Sequence, residues 1–320
     1  MNNTVEFSCR DENTISIWPQ HLLCMRCMNG GGKLPFMEEK RLREKLDLIK
    51  SKPIVFLHLQ AAFDEIGART DIFREQNHIE RKRDLDVLQK LGLTPGSVRL
   101  AKDLFRLVEE RIPTLKGICI YENVTPGKWD ECPLAREKYF EDGKDNLVYK
   151  RIKEEMVKAK IDSCKNIESM DRIYIRAHHM LCIFCFVGKK TSIKPIEEDN
   201  LYEVWKKMKD NPKIPVTLAE GCSSCMICPP CHGFEPERGI CNAGCHLRDR
   251  KKDLDVFQRL GLIPGDTLLA EDLILLIYEK IPTVKGICEY GASTSPEWDA
   301  CGGTTSGNYE KRCKIGLFQL

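Results

Sequence analysis

The residues best able to do chemistry in this chain are its cysteines, and they fall into patterns. Cys24–Cys27 and Cys182–Cys185 are CxxC pairs. Each is followed, after a long gap, by two cysteines 13 apart: Cys119 and Cys132, or Cys288 and Cys301. The second long gap holds a denser run, with Cys222, Cys225, Cys228 and Cys231 at every third position and then Cys241 and Cys245. Four thiolates are the ligand set of one [4Fe–4S] cluster or one structural zinc ion. A CxxC turn suits either, because it puts both sulfurs on one concave face. A zinc ribbon usually supplies two such knuckles, whereas here the second pair lies on a loop. That leans toward iron–sulfur clusters as the cofactor, with zinc as the alternative.

CxxCxxC is the run that wraps three corners of a cubane. The usual bacterial ferredoxin run has three residues before its last cysteine and a proline after it. Here two residues precede Cys231 and His232 follows, so this is not an ordinary ferredoxin module. Fourteen patterned cysteines suffice for three four-thiolate clusters with two to spare. Two cubanes or one larger cluster also fit, and the spacing does not divide the ligands among them.

His21 and His179 each sit three residues before a cysteine, one helical turn from the thiolates. Such a ring can donate a hydrogen bond to a cluster sulfur or carry protons, or simply bond to backbone. His178 is found only in the second half, where the first has Gln20. His178 and His179 are therefore the catalytic candidates, and the His178 side is expected to be the more exposed. Arg248 and Asp249 read as an ordinary ion pair at a helix start. Trp129 and Trp298 read as core or cluster-shielding side chains. Gly30, Gly31 and Gly32 lack the Gly-Lys-Ser/Thr that completes a phosphate loop. No HExxH, GxSxG or paired-carboxylate signature stands out.

The elements that must position these groups are duplicated. Asp84 to Cys119 and Asp253 to Cys288 are 36-residue blocks identical at 23 positions without a gap. The likeness runs on through Trp129 to Cys132 and Trp298 to Cys301. HLLCMRC at His21 matches HMLCIFC at His179. The offset is 158 there and 169 in the later block, so the second half carries about eleven extra residues between them. Each half then reads alike. After HxLCxxC comes an amphipathic helix, apolar at Leu42, Leu46 and Ile49, or at Leu201, Val204, Trp205 and Met208. A short apolar strand follows, Ile54 to Leu59 or Ile214 to Leu218. Next come a helix ending in LGL and a Pro-Gly turn, with Ser97 or Asp266 expected to cap the helix beyond it. That helix is apolar at Leu100, Leu104 and Leu107, or at Leu269, Leu273 and Leu276, and stops at Ile-Pro. The predicted fold class is α+β: two pseudo-symmetric duplicated domains, helix-rich with small sheets. The domains are 1–140, a charged linker 141–170, and 171–320 with the cysteine-rich insertion.

Composition sets the compartment. With 42% hydrophobic and 31% charged residues each half can bury a core, so cysteines are not needed as staples. Seventeen cysteines, an odd count, suit a reducing compartment and metal ligation. Cys9, Cys164 and Cys313 lie outside the patterns and read as small buried hydrophobes. A net charge of +2 argues against nucleic acid as the main partner. No apolar run reaches membrane-spanning length, and Met1 to Asn13 has no signal-peptide core, so a cytoplasmic location without membrane association is expected. The oligomeric state is not legible.

HHMLCIFC at His178, ICPPC at Ile227, a cysteine at 241 or 245, Arg248-Asp249 and LGLIPGD together resemble a small prokaryotic family. It carries an HHLLC motif, is called domain of unknown function 1284, and is described as iron–sulfur proteins. The resemblance covers about residues 172 to 270. It implies Cys182, Cys228, Cys231 and Cys241 or Cys245 as ligands, and a cofactor, but no reaction. The first half keeps HLLC but lacks the central cysteines, and the WDxC tail lies outside the resemblance.

Three functions fit. The favoured one is an electron-transfer protein with two or three [4Fe–4S]-type clusters and a redox partner protein. The second is an enzyme, a lyase, desulfurase or reductase, whose open-site cluster acts as Lewis acid or reductant. The third is a zinc-stabilised interaction module.

Overall fold

A computed structural model describes residues 13–34, 39–60, 77–121, 129–189, 193–236, 239–241, 246–289, 291 and 298–318. The chain divides into two units, Met1–Lys150 and Arg151–Leu320. The fold is α+β, with many helices around small mixed sheets.

In the first unit, strand β1 (Thr14–Ile17) leads into helix α1 (His21–Asn29), which carries the first CxxC. Helix α2 (Glu39–Ser51) follows and buries Leu42, Leu46 and Ile49, the apolar stripe its sequence spells. Strand β2 (Phe56–Leu59) lies parallel to β1. Helix α3 (His78–Leu91) opens on a capping box. Asn77 accepts from the Ile79 and Glu80 amides, and Glu80 reaches back to the Asn77 amide. It ends at Gly92, whose left-handed backbone (φ 66°) lets the chain turn off the helix. Strand β3 (Val98–Leu100) pairs antiparallel with β2, and helix α4 (Ala101–Arg111) follows directly. After a 3-10 turn at Pro133–Arg136, the short helix α5 (Tyr139–Asp142) packs back on α1.

The second unit opens with helix α6 (Lys153–Ser169), which packs on helix α8 (Leu201–Asp210). The charged stretch 141–170, read as a linker, is thus divided between the two units. Strand β4 (Ile173–Arg176) runs straight into helix α7 (Ala177–Val187), which carries the second CxxC. Strand β5 (Pro215–Ala219) is parallel to β4, and strand β8 (Thr267–Leu269) is antiparallel to β5. The sheet orders β1-β2-β3 and β4-β5-β8 therefore have the same senses. Between β5 and helix α9 (His246–Leu260) lies the cysteine-rich insertion with its small hairpin, strands β6 (Phe234–Glu235) and β7 (Ile240–Cys241). Helices α10 (Ala270–Lys280) and α11 (Asn308–Ile315) complete the unit.

Two sequence expectations change. Ser97 and Asp266 do not cap helices: Ser97 Oγ donates to the Thr94 carbonyl at 2.6 Å, and Asp266 Oδ2 accepts the Ile263 amide at 2.9 Å. Both side chains close the Pro-Gly turn, and an intervening strand separates them from α4 and α10. Trp129 is 37% exposed and meets His78 edge-on at 4.8 Å, so it is not a core residue.

A close backbone approach fixes the cysteine helix in each unit. A Cβ on Gly30 would lie 2.1 Å from the Tyr139 carbonyl oxygen, and one on Gly188 would lie 2.1 Å from that of Asn308. The first glycine ends α1 against α5; the second ends α7 against α11. A Cβ at Gly302 meets nothing within 4 Å. Gly30→Ala and Gly188→Ala should therefore each destabilise their own unit by about 1–3 kcal/mol, since backbone must shift. Gly302→Ala should be near neutral in the same chemical denaturation experiment. Equal effects of the three would remove the close approach as a constraint.

Candidate metal centres

Two of the four repeat cysteines of each unit sit on one helix. Cys24 and Cys27 lie one turn apart on α1, as do Cys182 and Cys185 on α7. The later pair in each unit is tied by backbone: the Cys132 amide donates to the Cys119 carbonyl at 3.0 Å, and the Cys301 amide to the Cys288 carbonyl at 2.9 Å. The four sulfurs of each unit are electrostatic neighbours. Burial, then Cys119, Cys132 and Cys27, push the Cys24 thiol well above its ordinary value. Burial, then Cys301, Cys288 and Cys185, do the same to Cys182. Burial and neighbouring sulfurs push Cys27 and Cys185 up to about 12. Such thiols repel one another once ionised and have little water to help them, so the tetrads suit a bound cation.

Each tetrad has a buried cation beside it at the matching place in the repeat, and Arg26 adds a second one beside Cys27 in the first unit. Arg83 pulls down the Cys24 and Cys119 thiols, and Lys252 pulls down Cys182 and Cys288. Arg83 donates to the Asp130 carbonyl at 3.0 Å. In the second unit Arg248 takes that task, donating to the Asp299 carbonyl at 2.6 Å. Arg248 also pairs with Asp249 at 3.2 Å, the ion pair read from sequence, and Lys252 joins Asp249 at 3.4 Å.

The insertion folds as consecutive three-residue turns. The amides of Cys225, Cys228 and Cys231 donate to the carbonyls of Cys222, Cys225 and Cys228 at 3.1, 3.3 and 2.9 Å. Within the run, Cys225 and Cys228 bring their sulfurs to one group of ligand atoms. Arg151 donates to the Pro229 and Cys231 carbonyls at 2.6 and 2.9 Å, and Asn200 to the Met226 carbonyl at 2.8 Å, holding the loop from behind. Cys241, on β7, joins the array. Its hydrogen bond to Cys231 outweighs burial and brings that thiol down to about 7. Burial and then Cys241 push Cys222 up to about 12. Cys245 lies outside the described residues, as does Cys9.

His179 faces this array: its Nδ1 is 3.4 Å from Cys225 Sγ and 3.8 Å from Cys228 Sγ. Burial opposes ionisation of Cys225, but hydrogen bonds from Cys228 and His179 hold it below the ordinary thiol value. Among the described residues, two groups of ligand atoms lie wholly within 4.8 Å of one another. They are His179–Cys225–Cys228 and His178–His179–Cys182. Cys182 also belongs to the tetrad of its unit, so the His179 ring stands between the two sets of sulfurs.

His178 departs from expectation. It is 4% exposed, the more buried of the two histidines. Its amide and its Nδ1 both bond Asp253 Oδ1, at 3.0 and 2.8 Å, which draws the ring into the core. Arg176 Nε and Nη2 and the Gly221 amide bond Asp253 Oδ2 at 3.0, 2.8 and 3.0 Å. Burial alone would raise the Asp253 carboxyl, but His178 and Arg176 outweigh it and hold it well below the usual range. Burial lowers the His178 ring to about 4 despite Asp253. The ring is thus neutral near neutral pH, donating Nδ1–H to the carboxylate and leaving a lone pair on Nε2. Sequence reading missed Arg176, Asp253, Arg83, Lys252 and Arg151. Asp84 and Asp253 stand at the head of the matched blocks, the one signal that marked them.

His21, the counterpart of His179, has its Nδ1 sealed from solvent with no hydrogen-bond partner among the described residues. Burial, then Lys45, lower its ring from 6.5 to about 4. The unfolded chain therefore takes up a proton in that window that the folded unit does not. The neutral ring's contribution to stability is full above 6.5 and lost as pH falls toward 4. Metal-free protein carrying His21→Gln should lose less first-unit stability than the unaltered protein over that range, measured by urea unfolding. Identical acid sensitivity would place the effect elsewhere.

Comparison with protein-family models, curated proteins and solved structures finds no match. The likeness to the HHLLC family therefore rests on its motif residues alone.

Proposed function

We propose that this chain is an iron–sulfur electron-transfer protein made of two copies of one ancestral unit. In this reading each tetrad, Cys24–Cys27–Cys119–Cys132 and Cys182–Cys185–Cys288–Cys301, holds one [4Fe–4S] cluster. The observation that carries it is the same grouping of four electrostatically coupled cysteines, with Arg83 or Lys252 beside them, at matching positions of two units. Matching sheet senses and the 23 shared positions support the duplication. The bound clusters would supply reversible one-electron chemistry. The chain's own residues hold the thiolates, exclude water and offset charge through Arg83 and Lys252.

The second cysteine pair of each tetrad lies outside helices and strands and is 13 residues apart, which suits a cluster better than the paired CxxC knuckles of a zinc ribbon. The array at Cys222–Cys241 is a further metal–thiolate centre, and a cytoplasmic redox partner protein completes the scheme.

Protein purified without oxygen should contain about eight irons and eight acid-labile sulfides per chain in its two tetrads, with paramagnetic signals on reduction. Replacing Cys228 and Cys231 by Ser should empty the array and spare those eight. Stoichiometric zinc without sulfide, after careful reconstitution, would reject the reading.

Arg83→Gln should lower the reduction potential of one centre by on the order of tens of millivolts, because a nearby cation favours the reduced, more negative state. Lys252→Gln should do the same to the other. Potentiometric titration that shows no shift in either variant would place the cations outside the field of the redox centres.

A further inference from the structure

We infer that His179, Cys225 and Cys228 form a mononuclear site for a divalent transition metal, zinc or ferrous iron, distinct from the two tetrads. It rests on reading the chain as a metal–thiolate protein, but not on iron in either tetrad. The regular run of cysteines suggests a cubane, but the geometry of its middle does not. A tetrahedral ion bound at about 2.3 Å to sulfur and 2.0–2.1 Å to nitrogen sets N···S near 3.6 Å and S···S near 3.8 Å. The His179 Nδ1 distances of 3.4 and 3.8 Å bracket that value, and all three ligand atoms lie within 4.8 Å of one another. A ring set this close to both sulfurs offers a third ligand atom from the protein itself.

Charge points the same way. Cys225 and Cys228 are each 3% exposed, so a net charge there is costly. Two thiolates, a neutral imidazole and a divalent ion sum to zero. The adjacent Arg176–Asp253 pair, 2.8 Å apart, is neutral as well. That pair also sets the second layer. Asp253 fixes His178 with a lone pair on Nε2, and His178 meets His179 edge-on with ring centroids 4.7 Å apart. The His179 ring thus packs against a side chain that is itself fixed, which restrains its orientation toward the two sulfurs.

The first unit supplies the comparison. It keeps the histidine as His21 but has no cysteine between Cys27 and Cys119. The His21 Nδ1, which corresponds to the atom facing two sulfurs in the second unit, has no partner there among the described residues.

Cobalt(II) titration of the full chain tests this, with X-ray absorption of the unaltered protein as a measurement that needs no variant. The expected result is one tetrahedral ion per chain with mixed sulfur and imidazole ligation, seen in the cobalt ligand-field and thiolate charge-transfer bands. His179→Gln, and Cys225→Ser with Cys228→Ser, should each weaken cobalt binding at least about tenfold. His21→Gln should leave it unchanged. Circular dichroism and retained tetrad metal would show that the variants fold. An all-sulfur spectrum untouched by His179→Gln would overturn the site. So would loss of about four irons and four sulfides with the cysteine pair, the stoichiometry of a cubane. If instead the tetrads bind single ions, cobalt would rise to about three per chain with one sensitive to His179, and only the iron–sulfur reading would fail.

Discussion

One carboxylate in each unit holds the rest in place. Asp84 Oδ1 accepts the Gln20 amide at 2.8 Å, and Asp253 Oδ1 accepts the His178 amide at 3.0 Å. Both acceptors sit on the long helix before LGL, and both donors sit at the start of the helix that carries CxxC. The first amides of a helix have no partner within it, and a buried anion there is favoured by the helix dipole. The bond therefore does two things together. It satisfies a donor that burial would otherwise orphan, and it fixes where the cysteine helix begins. Once that start is fixed, the 3.6-residue repeat decides where the two sulfurs fall.

In the second unit the same carboxylate has acquired further partners. Trp18 of the first unit is replaced by Arg176 and Gln20 by His178, and both new side chains bond Asp253. The carboxylate thus changes from a helix anchor into the hub of a buried polar network. Both Asp253 oxygens accept two bonds or more, which is what makes this buried charge tolerable. The insertion is held by Arg151 and Asn200, both of which bond its backbone carbonyls. Sulfurs in the array are thereby set by backbone position, with the cysteine rotamers as the remaining freedom.

The cysteine patterns were legible in the sequence because they follow short periods. CxxC, the 13-residue spacing and the three-residue run are local, and the first two occur in both halves. The stripes on α2 and α8 were legible for the same reason. The hub was not, since Arg176 and Asp253 are 77 residues apart and neither lies in a motif. Strands β1 and β4 are four residues each and were hidden in front of the cysteine helices. Ser97 and Asp266 misled because a turn-closing side chain and a helix cap use the same residue types. His178 was misplaced because an exposed histidine and one drawn inward by a buried carboxylate look alike in one dimension.

The bond from the Cys132 amide to the Cys119 carbonyl, and its twin from Cys301 to Cys288, have a bearing on how the chain can change. Each joins two cysteines of one proposed tetrad directly, so the two are held side by side by backbone and not only by whatever binds them. Lengthening a closed loop costs only the logarithm of its length. Added sequence between the two late cysteines, placed before Trp129 or Trp298, should therefore cost either unit little while that bond keeps the pair together.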